Sequence, residues 1–454
     1  MPTIYHASWV LPVSSPPIRD GALAVDGQLI SSVGQRADLC ARFPEASLVS
    51  LDDAIIAPGL INTHTHLELT AMRGYLEAEE RDFFAWLRKL TLARLELMSA
   101  DDLYTSVAWG ACEAARAGIT CVGDASDSGS ISMKALREVG LRGIVFQESF
   151  GPDPLLSAEN FDKLKAKIGE LRDQETSLLK AGVSPHAPYT VCGPQLQMIA
   201  EFASSSNLPL MMHAAESAAE ELFVRDARGL FAEGLLKRGI EWTGLGTSTI
   251  QYLKQTGILQ TRPLLAHCIR VDRQDIETLA ETETKVAHCP KSNAKLGHGR
   301  APFRRFLDEG IAVGLGSDSV ASNNTCDLLE EARFAVLLSR TLSEGIDEDS
   351  WVSAAAALSS ATLGGARCLG YQNQLGELKE GAYADFIAIS TAGAHQQPIY
   401  DPVISAVFSS SGRDVVLTVV AGTEIYRDGR VNSVDEERLR ARMGEIRDKL
   451  ARGS

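Results

Sequence analysis

No stretch of about 18 uninterrupted apolar residues occurs in the chain, so no membrane-crossing helix is expected. The opening MPTIYHASWVLPVSS has no basic start ahead of an apolar core and does not read as a secretory signal. Runs of Lys and Arg are missing too. With 44 basic against 59 acidic residues the net charge is −15, which repels a polyanion, so neither nucleic acid nor a membrane is expected as a partner. The eight cysteines (Cys40, Cys112, Cys121, Cys192, Cys268, Cys289, Cys326 and Cys368) include no CxxC pair, which argues against a disulfide framework and a thiolate zinc site. Reduced thiols of a cytoplasmic protein are the expectation. Internal repeats, low-complexity tracts and linker-like runs are also lacking. What remains is 454 residues, 45% hydrophobic and 23% charged, enough for one large barrel with a small companion domain.

Residues 3 to about 57 read as short strands and turns, with an Asp26-Gly27 hairpin cue between apolar runs. From about residue 58 short apolar runs alternate with amphipathic stretches such as ADDLYTSVAWGACEAARAG, the pattern of a parallel sheet covered by helices. Many of these runs end in a chemically rich residue: LINTHTH, AGVSPHAP, LPLMMHAAE, PLLAHC, KVAHCP and IAVGLGSDS. Reactive residues gathered at strand C-termini over most of a chain favour a closed (β/α)₈ barrel over a doubly wound sheet. After about residue 375 the chain turns strand-like again and finishes in a charged helix. The predicted organisation is residues 1–57 and 375–454 pairing into a small β-sandwich domain, with a 58–374 catalytic barrel inserted between them.

Six of the nine histidines (His64, His66, His186, His213, His267 and His288) stand at or just past the end of a strand-like run. One histidine so placed is usually a satisfied core or surface residue; six at the same end of their strands point to a site. His64 and His66, two residues apart on an extended strand, face the same way and can share one metal ion. With His213 and Asp318 they make three imidazoles and a carboxylate, a set that suits Zn²⁺ or Fe²⁺ and leaves a position open for water. Glu216, three residues past His213, suits a proton shuttle; the plainer reading is an acid favoured at a solvated helix N-terminus. His267 ends the next strand, where an imidazole can orient water or an oxyanion. His66-Leu67-Glu68 supplies half of the HxE…PCxxC signature of the zinc deaminases that edit nucleotides, but no PCxxC follows. No HExxH helix is present.

The ordered set PGLINTHTH, VSPHAPYTVC, HAAES, LLAHC, VAHCPKSNAKLGHG, GLGSDSVASNN and GELKEGAYADF resembles the amidohydrolase superfamily, in the branch of cytosine, guanine and adenosine-type deaminases and triazine chlorohydrolases. The resemblance covers nearly the whole chain. It implies that His64, His66, His213 and Asp318 hold one metal, zinc first and iron or manganese as alternatives. It also implies that Glu216 moves protons, that His267 assists hydroxide, and that His186 touches substrate. Two-metal members carry a carboxylated lysine where this chain has Ser184-Pro185-His186, so a single metal is favoured. The implied reaction is hydrolytic deamination of an amino-substituted heterocycle, with Glu216, His267 and Asp318 as the catalytic residues.

Adenosine-type deaminases are the first expectation within that branch. Thioadenosine and S-adenosylhomocysteine deaminases carry an acid for the ribose about nine residues after the Trp-Leu of their first helix; here Arg94 and Leu95 follow Trp86-Leu87 at that distance. The segment HTHLELTAMRGYLEAEERDFFAWLRKLTLAR instead resembles the aminodeoxyfutalosine deaminases of menaquinone biosynthesis. That resemblance makes Arg94 or Arg73 a candidate partner for the substrate's benzoate, unless both are surface or helix-pairing residues. Glu148 is a candidate ribose contact, or a buried carboxylate serving the barrel. His288 is given a supporting role and His298 none. Dechlorination or ring opening on the same scaffold, and a catalytically silent relative, are the rival readings. Barrels of this kind often pair, so a homodimer is also considered.

Overall fold

The computed structural model describes residues 1–341 and 351–453. Strands β1 (Thr3–Val10), β2 (Ile18–Asp26), β3 (Leu29–Gln35), β4 (Ser47–Ser50) and β5 (Ala54–Pro58) come from the N-terminal segment. Gly27, at φ +58, supplies the left-handed step that turns β2 into β3.

Parallel strands follow in alternation with helices: β6 (Leu60–Thr65), β7 (Ile119–Ser126), β8 (Arg142–Ser149) and β9 (Leu179–Pro185) in one four-stranded sheet, then β10 (Met211–Ala214), β11 (Leu264–His267), β12 (Lys285–His288) and β13 (Val313–Leu315) in another. Single parallel bridges link the two sheets at both edges, Val183 to Leu210 and Thr65 to Asp318. The second seam depends on close backbone approach: a Cβ on Gly314 would stand 2.2 Å from the Thr63 side chain. β6, β7 and β8 are buried along their whole length, as strands covered on both faces must be.

The chain ends with β14 (Phe386–Ser390), β15 (Val415–Val420), β16 (Thr423–Arg427), β17 (Arg430–Val431) and a helix, Glu436–Gly453. The N- and C-terminal segments do pair, through antiparallel β5 and β14. They form one nine-stranded sheet where two facing sheets were expected. The edges of β5 and β14 use their free N–H and C=O groups on each other, which joins what would have been separate sheets.

The terminal sheet is bolted to the parallel strands by Arg142, whose guanidinium donates to both carboxylate oxygens of Asp385 at 2.8 and 3.0 Å. Asp385 also accepts from the Ala421 amide, and the Tyr383 ring lies 4.4 Å from the guanidinium carbon. The last helix packs on helix Ala100–Arg116, where Lys449 and Arg442 both reach the buried carboxylate of Asp102. Asp102 is at the same time half of the capping box with Ser99 that starts that helix. Ile446 and Leu450 of the last helix join a core cluster with Trp86, Met98 and Leu103, and so support the segment that covers the site.

Candidate active site

The functional side chains stand where the parallel strands end, on backbone that is bent out of the strand conformation. His267 (φ 75), Ala215 (φ 53) and Asp318 (φ 55) occupy the left-handed region, which costs a non-glycine residue of order 1 kcal/mol or more. Neighbouring strands hold them there. The Asp318 amide donates to the His64 carbonyl at 3.0 Å, and the Cys268 amide to Ala214 at 3.1 Å.

One oxygen or nitrogen atom from each of His64, His213, His267 and Asp318 lies within 4.8 Å of the others, and all four residues are buried. His66 closes on the same point, with Nε2 at 3.1 Å from His213 Nε2 and 3.6 Å from Asp318 Oδ1. The structure therefore gathers five side chains where the sequence singled out four ligands. The outer atom of several of them is already engaged. His213 Nδ1–H donates to the His186 carbonyl at 2.9 Å, and His267 Nδ1 pairs with Asn293 Oδ1 at 2.8 Å. Asp318 Oδ2 accepts from the hydroxyls of Ser292 and Ser322 at 2.6 and 2.8 Å. That leaves Oδ1 facing the imidazoles, 3.4 Å from His64 Nε2, and it leaves His64 Nε2 and His267 Nε2 buried without a hydrogen-bond partner.

A buried polar atom without a partner costs about 1–3 kcal/mol, so two in one cluster call for a ligand. A divalent metal fits: the donors are three or four imidazole nitrogens and one carboxylate oxygen, oriented by hydrogen bonds on their far sides. The protonation states agree. Burial drives the His64 pKa down to about 4 and His213 well below its ordinary value, so both are neutral ligands at physiological pH. Burial alone would raise Asp318, but the imidazoles packed against Oδ1, His64 first and then His267 and His66, hold it well below the usual carboxylate range.

Glu216 stands beside this cluster, 3.7 Å from His267 Nε2 and 3.6 Å from His298 Nε2. Burial pushes its carboxyl above the ordinary range. Its backbone is clamped by Glu220, whose carboxylate accepts from the amides of Ala215 and Glu216 at 2.8 and 2.9 Å. Glu220 escaped the reading of the sequence, although Ser217-Ala-Ala-Glu220 is a legible capping pattern. His298, given no role by sequence, has its Nε2 turned to Glu216 and its ring edge on Phe83 of the covering helix. His288 is buried against Phe303 and does not reach the cluster.

The cluster forms the floor of a cavity of about 640 Å³, whose walls include Glu148, His186, Tyr189, Phe231 and the helix Phe83–Leu92. Glu148 and His186 face the same space as His213. Glu148 Oε1 is buried without a hydrogen-bond partner, and burial together with the Glu68 charge raises its pKa well above normal.

Both arginines follow the pairing alternative rather than standing free for a substrate carboxylate. Arg94 lines the cavity, but its guanidinium is spent on Glu68 and Asp127, each at 3.0 Å. Arg73 is turned away to Glu113 and the Asn324 carbonyl and takes no part in the wall. A spacing argument cannot see these partners, because Asp127 and Glu113 lie 33 and 40 residues away along the chain.

Comparison with known proteins agrees with this geometry. The sequence model of the Amidohydrolase family matches residues 55–425. The chain is similar to the 5-methylthioadenosine/S-adenosylhomocysteine deaminase of Symbiobacterium thermophilum, 32% identical over 436 residues covering 95% of each chain. It is 30% identical to the Moorella thermoacetica enzyme of the same name over 438 residues, 96% of each chain. Among solved structures, a zinc-bound adenosine deaminase from Xanthomonas campestris superposes with a TM-score of 0.88 at 26% identity, over 99% of this chain and 98% of that one.

Proposed function

The chain belongs to the amidohydrolase family, a hydrolase acting on carbon–nitrogen bonds, and from that premise we propose a zinc-dependent deaminase of adenine nucleosides of the methylthioadenosine and S-adenosylhomocysteine kind. The observation that carries the reading is the meeting of His64, His66, His213, His267 and Asp318 at the floor of a cavity that also holds buried Glu216. The eight parallel strands read as a (β/α)₈ barrel closed at its two bridged seams, with active residues at the C-terminal ends as that fold requires. The pairing of β5 with β14 supports dividing the chain into 1–57, 58–374 and 375–454.

A zinc ion in the cluster supplies Lewis acidity that brings the pKa of water from about 15.7 towards neutrality. The side chains then divide the proton work. Asp318 accepts one proton from the water that adds to the amino-bearing ring carbon. Glu216, whose carboxyl burial shifts towards the protonated form, donates to the adjacent ring nitrogen and makes that carbon electrophilic. The amino group leaves as ammonia with the proton held by Asp318, and the second water proton returns to Glu216 as the ring carbonyl forms. His267, fixed by Asn293, steadies the added oxygen.

The thionucleoside reading displaces the aminodeoxyfutalosine one because two relatives with that name match over nearly their whole length. The benzoate contact through Arg94 or Arg73 also lacks a free guanidinium. Zinc-loaded protein incubated with methylthioadenosine, S-adenosylhomocysteine and aminodeoxyfutalosine decides between them. Ammonia release with conversion of adenine to hypoxanthine on either thionucleoside is the expected result. Turnover of aminodeoxyfutalosine alone reverses the choice, and release of chloride from a chlorotriazine with no ammonia from any nucleoside replaces the class.

A further inference from the structure

Two cationic side chains lining the cavity have no anionic partner among the described residues, and both stand at its mouth. Arg88 lies on the covering helix Phe83–Leu92, and Arg238 follows the helix Leu230–Leu236. The two helices meet where Phe84 faces Phe231, ring centroids 5.9 Å apart, and where a side chain on Gly234 would touch Phe84 at 3.5 Å. Arg88 and Arg238 each come four residues after that contact, from Phe84 and from Gly234. The remaining cavity arginine, Arg94, is neutralised by Glu68 and Asp127. The deep walls are otherwise acidic or neutral, with Glu148, Glu216 and Asp318 around the floor. The unpaired positive charge of the cavity wall is thus concentrated at the mouth and draws an anion there, while an uncharged ring system can enter between Phe83, Phe231 and Tyr189.

We propose that Arg88 and Arg238 form an anion subsite that selects nucleosides whose 5′ substituent ends in a carboxylate. The proposal rests on the deaminase reading for the identity of the ring, and on the mouth geometry for the charge at the far end. Guanidinium forks match a planar carboxylate; a phosphate offers the same oxyanion chemistry and is separated by the test.

The test compares zinc-loaded wild type, Arg88→Gln, Arg238→Gln and the double variant. Both positions are exposed, so the variants are expected to fold. kcat/KM and, by calorimetry, Kd are measured for S-adenosylhomocysteine (carboxylate), AMP (phosphate) and methylthioadenosine (uncharged). The double variant should lose about 10- to 100-fold on S-adenosylhomocysteine in both quantities, the range of hydrogen bonds to charged groups, and stay within about twofold on methylthioadenosine. A larger loss on AMP than on S-adenosylhomocysteine overturns the carboxylate assignment. Equal losses on charged and uncharged ligands, or none, overturn the subsite. If no nucleoside is turned over but Kd for the carboxylate still weakens selectively, the deaminase reading falls and the subsite stands. Absence of both turnover and binding removes both.

Discussion

The two ends of the parallel strands treat buried charge in opposite ways. Where β8 begins, Arg142 and Asp385 are about as deeply buried as any residue of the active cluster, yet every polar atom is answered: two guanidinium–carboxylate hydrogen bonds, the Ala421 amide and an aromatic face. Around the strand ends, His64 Nε2, His267 Nε2, Glu148 Oε1 and His298 Nε2 are buried with no hydrogen-bond partner, and His267 itself sits on backbone in the left-handed region. The first arrangement joins the terminal sheet to the parallel strands and leaves nothing over for chemistry. The second leaves buried nitrogen and oxygen atoms available to a divalent metal and, in the proposed function, to a substrate. Sequence alone gives both ends charged residues in apolar surroundings; what separates them is the gathering of unanswered imidazole and carboxylate atoms around one point.

Substitutions can break that contrast from either side. Glu216→Gln removes the proposed proton carrier without changing shape, and kcat should fall about 10²- to 10⁴-fold with the fold intact, as measured by ammonia release and thermal unfolding. The same variant checks the pH dependence. Glu216 must be protonated to donate, and its pKa is raised, so wild-type kcat should decline as pH climbs through a value above the ordinary carboxylate range. That limb should vanish in the glutamine variant. At the opposite end Asp385→Ala strands the Arg142 charge and should cost about 3–5 kcal/mol of unfolding free energy, read by denaturant titration. Whatever folded protein remains should still bind metal.

Smaller effects sharpen the same line. Ser292→Ala with Ser322→Ala leaves Asp318 Oδ2 without its two hydroxyl donors and should weaken zinc binding about 10- to 100-fold, measured by competition with a chelator. Arg73→Ala should change kcat/KM by less than about threefold. Its half-exposed pair with Glu113 lies outside the cavity and is worth about 0.2–1 kcal/mol of stability at most.

Much of this was legible in the order of residues. Period-two placement of His64 and His66, and the recurrence of His or Asp at the close of apolar runs, located the cluster because strand geometry fixes which way those side chains face. The alternation of strands and helices gave the parallel sheets, and the strand-like ends of the chain gave the terminal sheet. What stayed hidden depends on contacts between distant segments. Arg94 and Arg73 looked available because Asp127 and Glu113 are brought to them only by folding. His298 looked idle because its neighbour Glu216 stands on another strand end. Arg88 and Arg238 gave no signal, since being unpaired at a cavity mouth is a property of the folded surface.

Zinc stoichiometry and turnover measured together on one preparation test the account most directly. Chelator-stripped protein, titrated with zinc while ammonia release from S-adenosylhomocysteine is followed, should be inactive at the start, gain activity in proportion to bound metal, and level off at one ion per chain. Full activity in the stripped protein, or one bound zinc with no ammonia from any adenine nucleoside, would contradict it.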